Sequence, residues 1–302
     1  MRFIPGIVKG IGFVVNVFCK PDEKVIIQPP VYHPVRLTPL GNKRQVVMNP
    51  LIMNEDGSYS MDFEGLANVA DEKCRVLILA NPHNPAGIVW DVDTLSRLAD
   101  FCWERGIIVI SDEIHCDMAH KGFKHHPFAS VSERAAQCSI TFGAPSKTFN
   151  IAGIVSSYCV VPNEELRRPF FEWLDANELS EPTIFSPIAT IAAFQNGEEW
   201  RQQMLEYVEA NIDFVDNFLK TRIPQIKALR PQASFLIWLN CRDLNLDHDA
   251  LNRLFIDGAR LALNDGEMFG EEGRGFMRMN IASPRAVLQD AMERLEQAVK
   301  AL

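Results

Sequence analysis

The sequence has no long hydrophobic run: the apolar stretches at 75–80 and 106–110 stop far short of the roughly 20 residues that a bilayer-crossing helix needs. It also lacks a CxxC pair. Its seven cysteines (Cys19, Cys74, Cys102, Cys116, Cys138, Cys159, Cys241) are odd in number and scattered, which argues against a disulfide framework. Reduced, mostly buried thiols in a cytoplasmic protein are expected instead. No basic patch is present either. With a net charge of -9 and a pI near 5.3, the chain would repel phosphates, which excludes a nucleic-acid or anionic-membrane surface as its function. The opening residues 1–6 do not begin the signal-peptide layout of charge, long apolar core and small-residue cleavage site. No repeat or low-complexity segment occurs. What remains is an ordinary globular composition, 47% hydrophobic and 23% charged, enough to bury a sizeable core.

Residues 7–18 place Ile7, Val8, Ile11, Val14, Val15 and Phe18 at helical spacing, with Pro5 where a first turn tolerates it. Residues 24–27 and 75–80 are aliphatic runs that end in Pro29-Pro30 and in Asn81-Pro82-His83-Asn84-Pro85-Ala86-Gly87, so each reads as a buried strand feeding a loop. A helix over 94–105 closes at Gly106, and a further strand over 107–110 runs into Ser111-Asp112-Glu113. Continuous rather than alternating apolar strands, interleaved with helices, predict an α/β fold with a mainly parallel central sheet flanked by helices. Ligands in that architecture gather at the carboxyl ends of strands, where the polar clusters after Ala80, after Ile110 and around Ser146-Lys147 fall. Beyond Pro187 a long helical stretch through Leu219, an apolar strand over 235–239 and a last helix over 284–302 predict a smaller C-terminal α/β domain. The expected division is a large domain over 1–200 and a small one over 201–302.

Taken singly, the polar residues at those strand ends are ordinary. Asp112 could cap a helix or sit in solvent, Lys147 could be a surface amine, and Asn84 could simply shape a turn. Together and in this order, the Asn81–Gly87 loop, Ser111-Asp112-Glu113-Ile114-His115 and Ser146-Lys147-Thr148-Phe149-Asn150 resemble fold-type I pyridoxal-phosphate (PLP) enzymes over essentially the whole chain. With Pro29-Pro30-Val31-Tyr32-His33-Pro34 they look most like the aminotransferase-like cystathionine β-lyase, or carbon–sulfur lyase, branch.

The resemblance implies PLP as cofactor and a role for each residue. Lys147 would carry the cofactor as a Schiff base and then serve as base at the substrate's Cα. Asp112 would keep the pyridine nitrogen protonated, Asn84 would donate to the phenolic oxygen, and Tyr32 would stack on the ring. His115 stands where many aminotransferases have a tyrosine; contact with the cofactor and a hydrogen bond to the loop are both open to it. The phosphate would sit at the start of the first helix, around Ile4-Pro5-Gly6, with the Ser146 hydroxyl. Val155 occupies the place of the aminotransferases' phosphate-binding arginine, so other donors must complete that cup. Arg278, in Gly275-Phe276-Met277-Arg278-Met279-Asn280, would grip the substrate carboxylate, while Arg285 decorates the last helix.

β-Elimination from cystathionine or a related cysteine S-conjugate is the activity this implies. Transamination uses the same residues, and a non-catalytic paralogue would keep the same fold. The family also implies a homodimer, and roughly 80 to 90 further residues ahead of the first helix, making the chain an N-terminally truncated member. His120, His125 and His126 lack metal-ligand spacing and are expected on a solvated rim, so no metal site is predicted. Cys116 is expected to be a small buried thiol, and 267–272 an acidic loop.

Overall fold

The computed structural model describes residues 1–302. Seven strands form the main sheet: β1 (Arg2–Ile4), β2 (Lys24–Ile27), β3 (Gln45–Met48), β4 (Cys74–Ala80), β5 (Ile108–Asp112), β6 (Ser139–Gly143) and β7 (Ser157–Val160). Their order is β1-β7-β6-β5-β4-β2-β3, with β3, β2, β4, β5 and β6 mutually parallel and β7 antiparallel to both its neighbours. The continuous apolar runs are explained by burial on both faces. Val25, Ile27, Val76, Ile78, Ile108 and Ile110 point into one core, while Ile26, Leu77, Leu79 and Val109 point into the other, the two-residue period of a pleated strand.

Helices α1 (Ile7–Phe18) and α3 (Glu164–Ala176) cover the first face, and α2 (Val92–Glu104), capped by the Asp91 carboxylate on the Thr94 N–H, covers the second. Helix α1 lies directly on the sheet because Gly10 has no side chain. A Cβ there would come within 2.7 Å of Ile4 Cδ1 and 3.0 Å of the Phe142 ring.

The long helical stretch expected beyond Pro187 is two helices, α4 (Phe185–Asn196) and α5 (Glu198–Arg222), separated at Gly197. Of its own residues α4 buries only Ser186, and Ile184, Phe185, Ile188, Ile191 and Phe194 are all exposed. A second, antiparallel sheet is made of β8 (Lys227–Leu229), β9 (Leu236–Asn240), β10 (Asn264–Asp265) and β11 (Phe276–Asn280) in the order β8-β9-β11-β10. Ile237, Leu239, Met277 and Met279 pack from one face onto α5 and the last helix, α6 (Arg285–Lys300), in a core drawn wholly from residues 208–295. Trp238 and Phe276 from the other face stack at 5.0 Å and join the main-sheet core. That contact fixes the second sheet against the strand ends of the first. No helix is long and apolar enough to cross a membrane.

Candidate active site

The carboxyl ends of β4 and β5, the loop after β6, the first turn of α1 and the near edge of the second sheet enclose a cavity of about 380 Å³, within the usual range for small-molecule sites. Seven residues singled out from sequence line it: Tyr32, Asn84, Asp112, His115, Ser146, Lys147 and Arg278. Ile4 and Pro5 do not. Ile4 is fully buried in β1, where it is paired to Ser157 and packed under α1. Of the expected turn Gly6 does reach the cavity, followed by Ile7 and Val8. Gly6 adopts φ +114°, which only glycine takes readily, and turns the chain from β1 into α1. No side chain caps α1 and no acidic residue lies in its first turn, so its free N–H groups and positive dipole end face the cavity.

Asp112 ends β5, and its carboxylate accepts a hydrogen bond from the Ile114 N–H at 3.2 Å. Burial pushes this carboxyl up to about 6, with Glu113 adding to the rise and the Ile114 N–H and Lys147 opposing it. His115 is only 4% exposed, and burial together with the positive charges of Lys147 and Arg278 drives its imidazole down to about 3. It is therefore neutral at physiological pH. Its Nδ1 is buried without a hydrogen-bond partner, and Phe235 meets the ring edge-on at 6.0 Å.

Arg278 is carried on β11. Its Nη1 donates to Asn84 Oδ1 at 2.8 Å and its Nη2 to Asn264 Oδ1 at 2.7 Å, while Nε is buried and unpartnered. The guanidinium lies 4.7 Å from the Phe269 ring centre and 5.9 Å from that of Tyr32. Burial lowers it to about 10, against the opposing influence of Tyr32, so it remains a cation at neutral pH. The loop between β4 and α2 is tied to this group: the Tyr32 N–H donates to the Asn84 carbonyl at 3.1 Å. Val155, where an arginine would stand in an aminotransferase, is exposed at the cavity rim with φ +53°, a left-handed conformation that β-branched residues rarely adopt.

Asn264 was invisible in the sequence because β10 is only two residues long and carries no periodic signal. The histidines also differ from expectation. His120 is buried rather than solvated, and His125 Nε2 lies 3.0 Å from the buried Glu113 carboxylate, which also accepts from Ser111 Oγ and the Phe128 N–H. No group of three or more His, Cys, Asp or Glu side chains converges as metal ligands do. A second cavity, of about 730 Å³, borders Cys116, Asp117 and Arg201 but contains none of the seven site residues. Cys116 is partly buried, and burial aided by Asp117 and Glu113 pushes its thiol far up, which makes it a poor nucleophile.

Similarity to known proteins follows this geometry. A solved cystalysin from Treponema denticola that contains pyridoxal 5'-phosphate superposes with a TM-score of 0.96 at 33% identity, over 99% of this chain and 76% of that one. A PLP-bound C–S lyase from Staphylococcus hominis superposes with a TM-score of 0.89 at 32% identity, over 98% and 77%. Cystathionine β-lyase PatB of Bacillus subtilis is 38% identical over 300 residues, 99% of this chain and 77% of the relative. The match extends past the cavity to nearly every element: the sequence pattern of the aminotransferase class I and II family spans residues 2–295, and the fold is that of fold-type I PLP enzymes. With Lys147, Asp112 and Arg278 around one cavity of this sheet, the family pattern matched over residues 2–295 and a relative 38% identical over 99% of the chain, the chain belongs to the aminotransferase class I and II family.

Proposed function

We propose that the protein is a PLP-dependent carbon–sulfur β-lyase that cleaves cystathionine or related cysteine S-conjugates to a thiol, pyruvate and ammonia. One observation carries the reading: an amine, a carboxyl and a guanidinium from three distant segments, Lys147, Asp112 and Arg278, line a single cavity. The names of the similar Bacillus and Staphylococcus proteins, a cystathionine β-lyase and a C–S lyase, favour elimination over transfer.

The residues present fit the cofactor. The uncapped first turn of α1, with Ser146 beside it, suits a phosphate without an arginine at position 155. Asp112, whose carboxyl burial holds up near 6, would gain a counter-charge from a protonated ring nitrogen. Asn84 and the unpartnered His115 Nδ1 are available to the ring's polar edge, Tyr32 to its face, and Lys147 Nζ to its carbonyl carbon. When bound, PLP supplies a conjugated ring that draws electron density away from the substrate's Cα.

The chain's own residues then do the rest. Arg278 grips the α-carboxylate with donors not taken by Asn84 and Asn264, which fixes the direction of the Cα–H bond. Lys147 Nζ takes the Cα proton and is placed to return it to the departing sulfur as the Cβ–S bond breaks. Asp112, ionised, would balance the positive charge of the ring nitrogen. The test is direct: protein purified with PLP is assayed for pyruvate from L-cystathionine and for keto-acid-dependent amino transfer. Pyruvate release without any added keto acid is expected. Transfer without pyruvate would make the protein an aminotransferase, and neither activity, with no visible cofactor band, would make it a non-catalytic scaffold.

We also propose that the protein works as a homodimer. Ile184 and, on α4, Phe185, Ile188, Ile191 and Phe194 are exposed together, and contiguous apolar surface of this kind marks an interaction site. Light scattering should return about twice the 34.1 kDa chain mass, and a monomer at micromolar concentration would refute the proposal. A boundary between large and small domains near residue 200 fits the separate third core, and limited proteolysis near Gly197 checks it. A cytoplasmic location suits seven free cysteines, six of them buried, and is checked by cell fractionation.

A further inference from the structure

Arg278 is held from two sides, by Asn84 and by Asn264, and the proposed function gives Asn264 no role. Asn264 stands directly opposite Arg278 in the β10–β11 register, so the two side chains are cross-strand neighbours on the cavity side. Its Oδ1 accepts from Arg278 Nη2 at 2.7 Å, while Asn84 Oδ1 takes Nη1 at 2.8 Å. A guanidinium has five N–H donors in one plane. Two are committed to the asparagines, and Nε–H is buried with no partner at all. Contacts to both terminal nitrogens stop rotation of the planar group, and the Phe269 ring at 4.7 Å limits tilt.

The Phe269 side of this cage is itself fixed. The Val31 N–H donates to the Phe269 carbonyl at 2.8 Å, and the Glu267 N–H is held by the Asp265 carboxylate at 2.9 Å. There is no room for a side chain at Gly266, where a Cβ would lie 2.0 Å from the Gly273 carbonyl oxygen. The β10 segment therefore presents Asn264 from a rigid support.

We infer that Asn264 is a positioning residue that aims the unused N–H edge of Arg278 at the substrate's α-carboxylate. An amide is suited to the task because it accepts a hydrogen bond without carrying charge. A carboxylate at position 264 would hold the guanidinium equally well but would neutralise it and repel the incoming anion. Asn264 thus orients the cation and leaves its full charge for the substrate. The inference rests on the proposed role of Arg278, and the experiment separates the two.

Holoprotein is titrated calorimetrically with L-alanine, which has no leaving group at Cβ, and with L-alaninamide, which lacks the carboxylate. The ratio of the two Kd values measures carboxylate recognition, and KM and kcat for L-cystathionine are recorded beside it. Asn264→Leu should cut the ratio about tenfold, the worth of one charge-assisted hydrogen bond. The amide's Kd should stay within about twofold and kcat within about threefold, with the loss appearing in KM. Asn264→Asp keeps the acceptor and should hurt the ratio more than Leu does, an order that a purely structural role would not produce. Arg278→Lys is the control for the underlying reading. If Arg278→Lys collapses the ratio while both Asn264 variants keep it within twofold, Asn264 does not aim the arginine. If Arg278→Lys also leaves the ratio intact, the carboxylate is held elsewhere and both statements fall. Should Asn264→Leu not fold, the Asn264→Asp comparison alone decides, since an unchanged ratio there refutes the inference.

Discussion

Lys147→Ala is expected to leave the protein folded, to remove its visible cofactor absorbance, and to lower pyruvate formation from L-cystathionine by on the order of 10³- to 10⁴-fold, the range for a positioned base. The side chain is exposed to the cavity rather than packed in a core, so its removal should change stability by less than about 0.5 kcal/mol. Absorbance spectroscopy and a thermal melt separate the two effects. A band that persists would mean that a different amine holds the cofactor, and turnover within tenfold of wild type would mean that a different group moves the Cα proton. Either result overturns the assignment, since Lys147 is the only lysine lining the cavity.

Asp112→Asn should make the empty protein more stable and the loaded enzyme far less active. The folded chain holds this carboxyl near 6, above the ordinary value of 3.8, because burial disfavours its charge. Below 3.8 the group is protonated in both folded and unfolded chains and costs nothing. As pH rises from about 4 to about 6 the unfolded chain releases its proton first, so stability falls, and above 6 the full penalty of about 2–3 kcal/mol is present. Asparagine is similar in shape and cannot ionise. Urea denaturation of cofactor-free protein should therefore show the two forms nearly equal near pH 4 and the variant more stable at pH 8. With PLP the order should reverse, because the cation that Asp112 balances has lost its partner, and turnover should drop by on the order of 10²- to 10³-fold. A stability difference that does not vary with pH would show that burial does not raise this carboxyl.

Much of this site can be read from residue order, because its members sit where strands stop. The aliphatic runs at β2, β4 and β5 are strong signals, and Asp112 and the Asn84 loop follow them directly. Helix α1 is equally plain from its apolar spacing, and of the turn expected around Ile4-Pro5-Gly6 only Gly6 lines the cavity, since which backbone N–H groups face a cavity leaves no trace in side-chain pattern. Asn264 could not be found for a different reason. Its importance lies in facing Arg278 across a two-residue strand, and pairing between strands is a three-dimensional fact. The pairing of His125 with Glu113 escaped notice likewise, because a histidine in a polar loop looks the same whether it meets water or a buried carboxylate. The division of the stretch beyond Pro187 was missed because α4 has apolar residues all around it and buries almost none of them within the chain, so no stripe marks where one helix ends.

The β1–β7 ladder sets the order in which the molecule can mature. Ile4 is registered against Ser157, so the uncapped helix start at Gly6 and the rim at Val155–Ser157 become neighbours only when positions separated by half the chain have met. Contacts this distant in sequence close late in folding. During refolding, helix content should consequently recover well before the capacity to capture the cofactor, and a nascent chain still on the ribosome gains nothing from PLP until β7 has emerged.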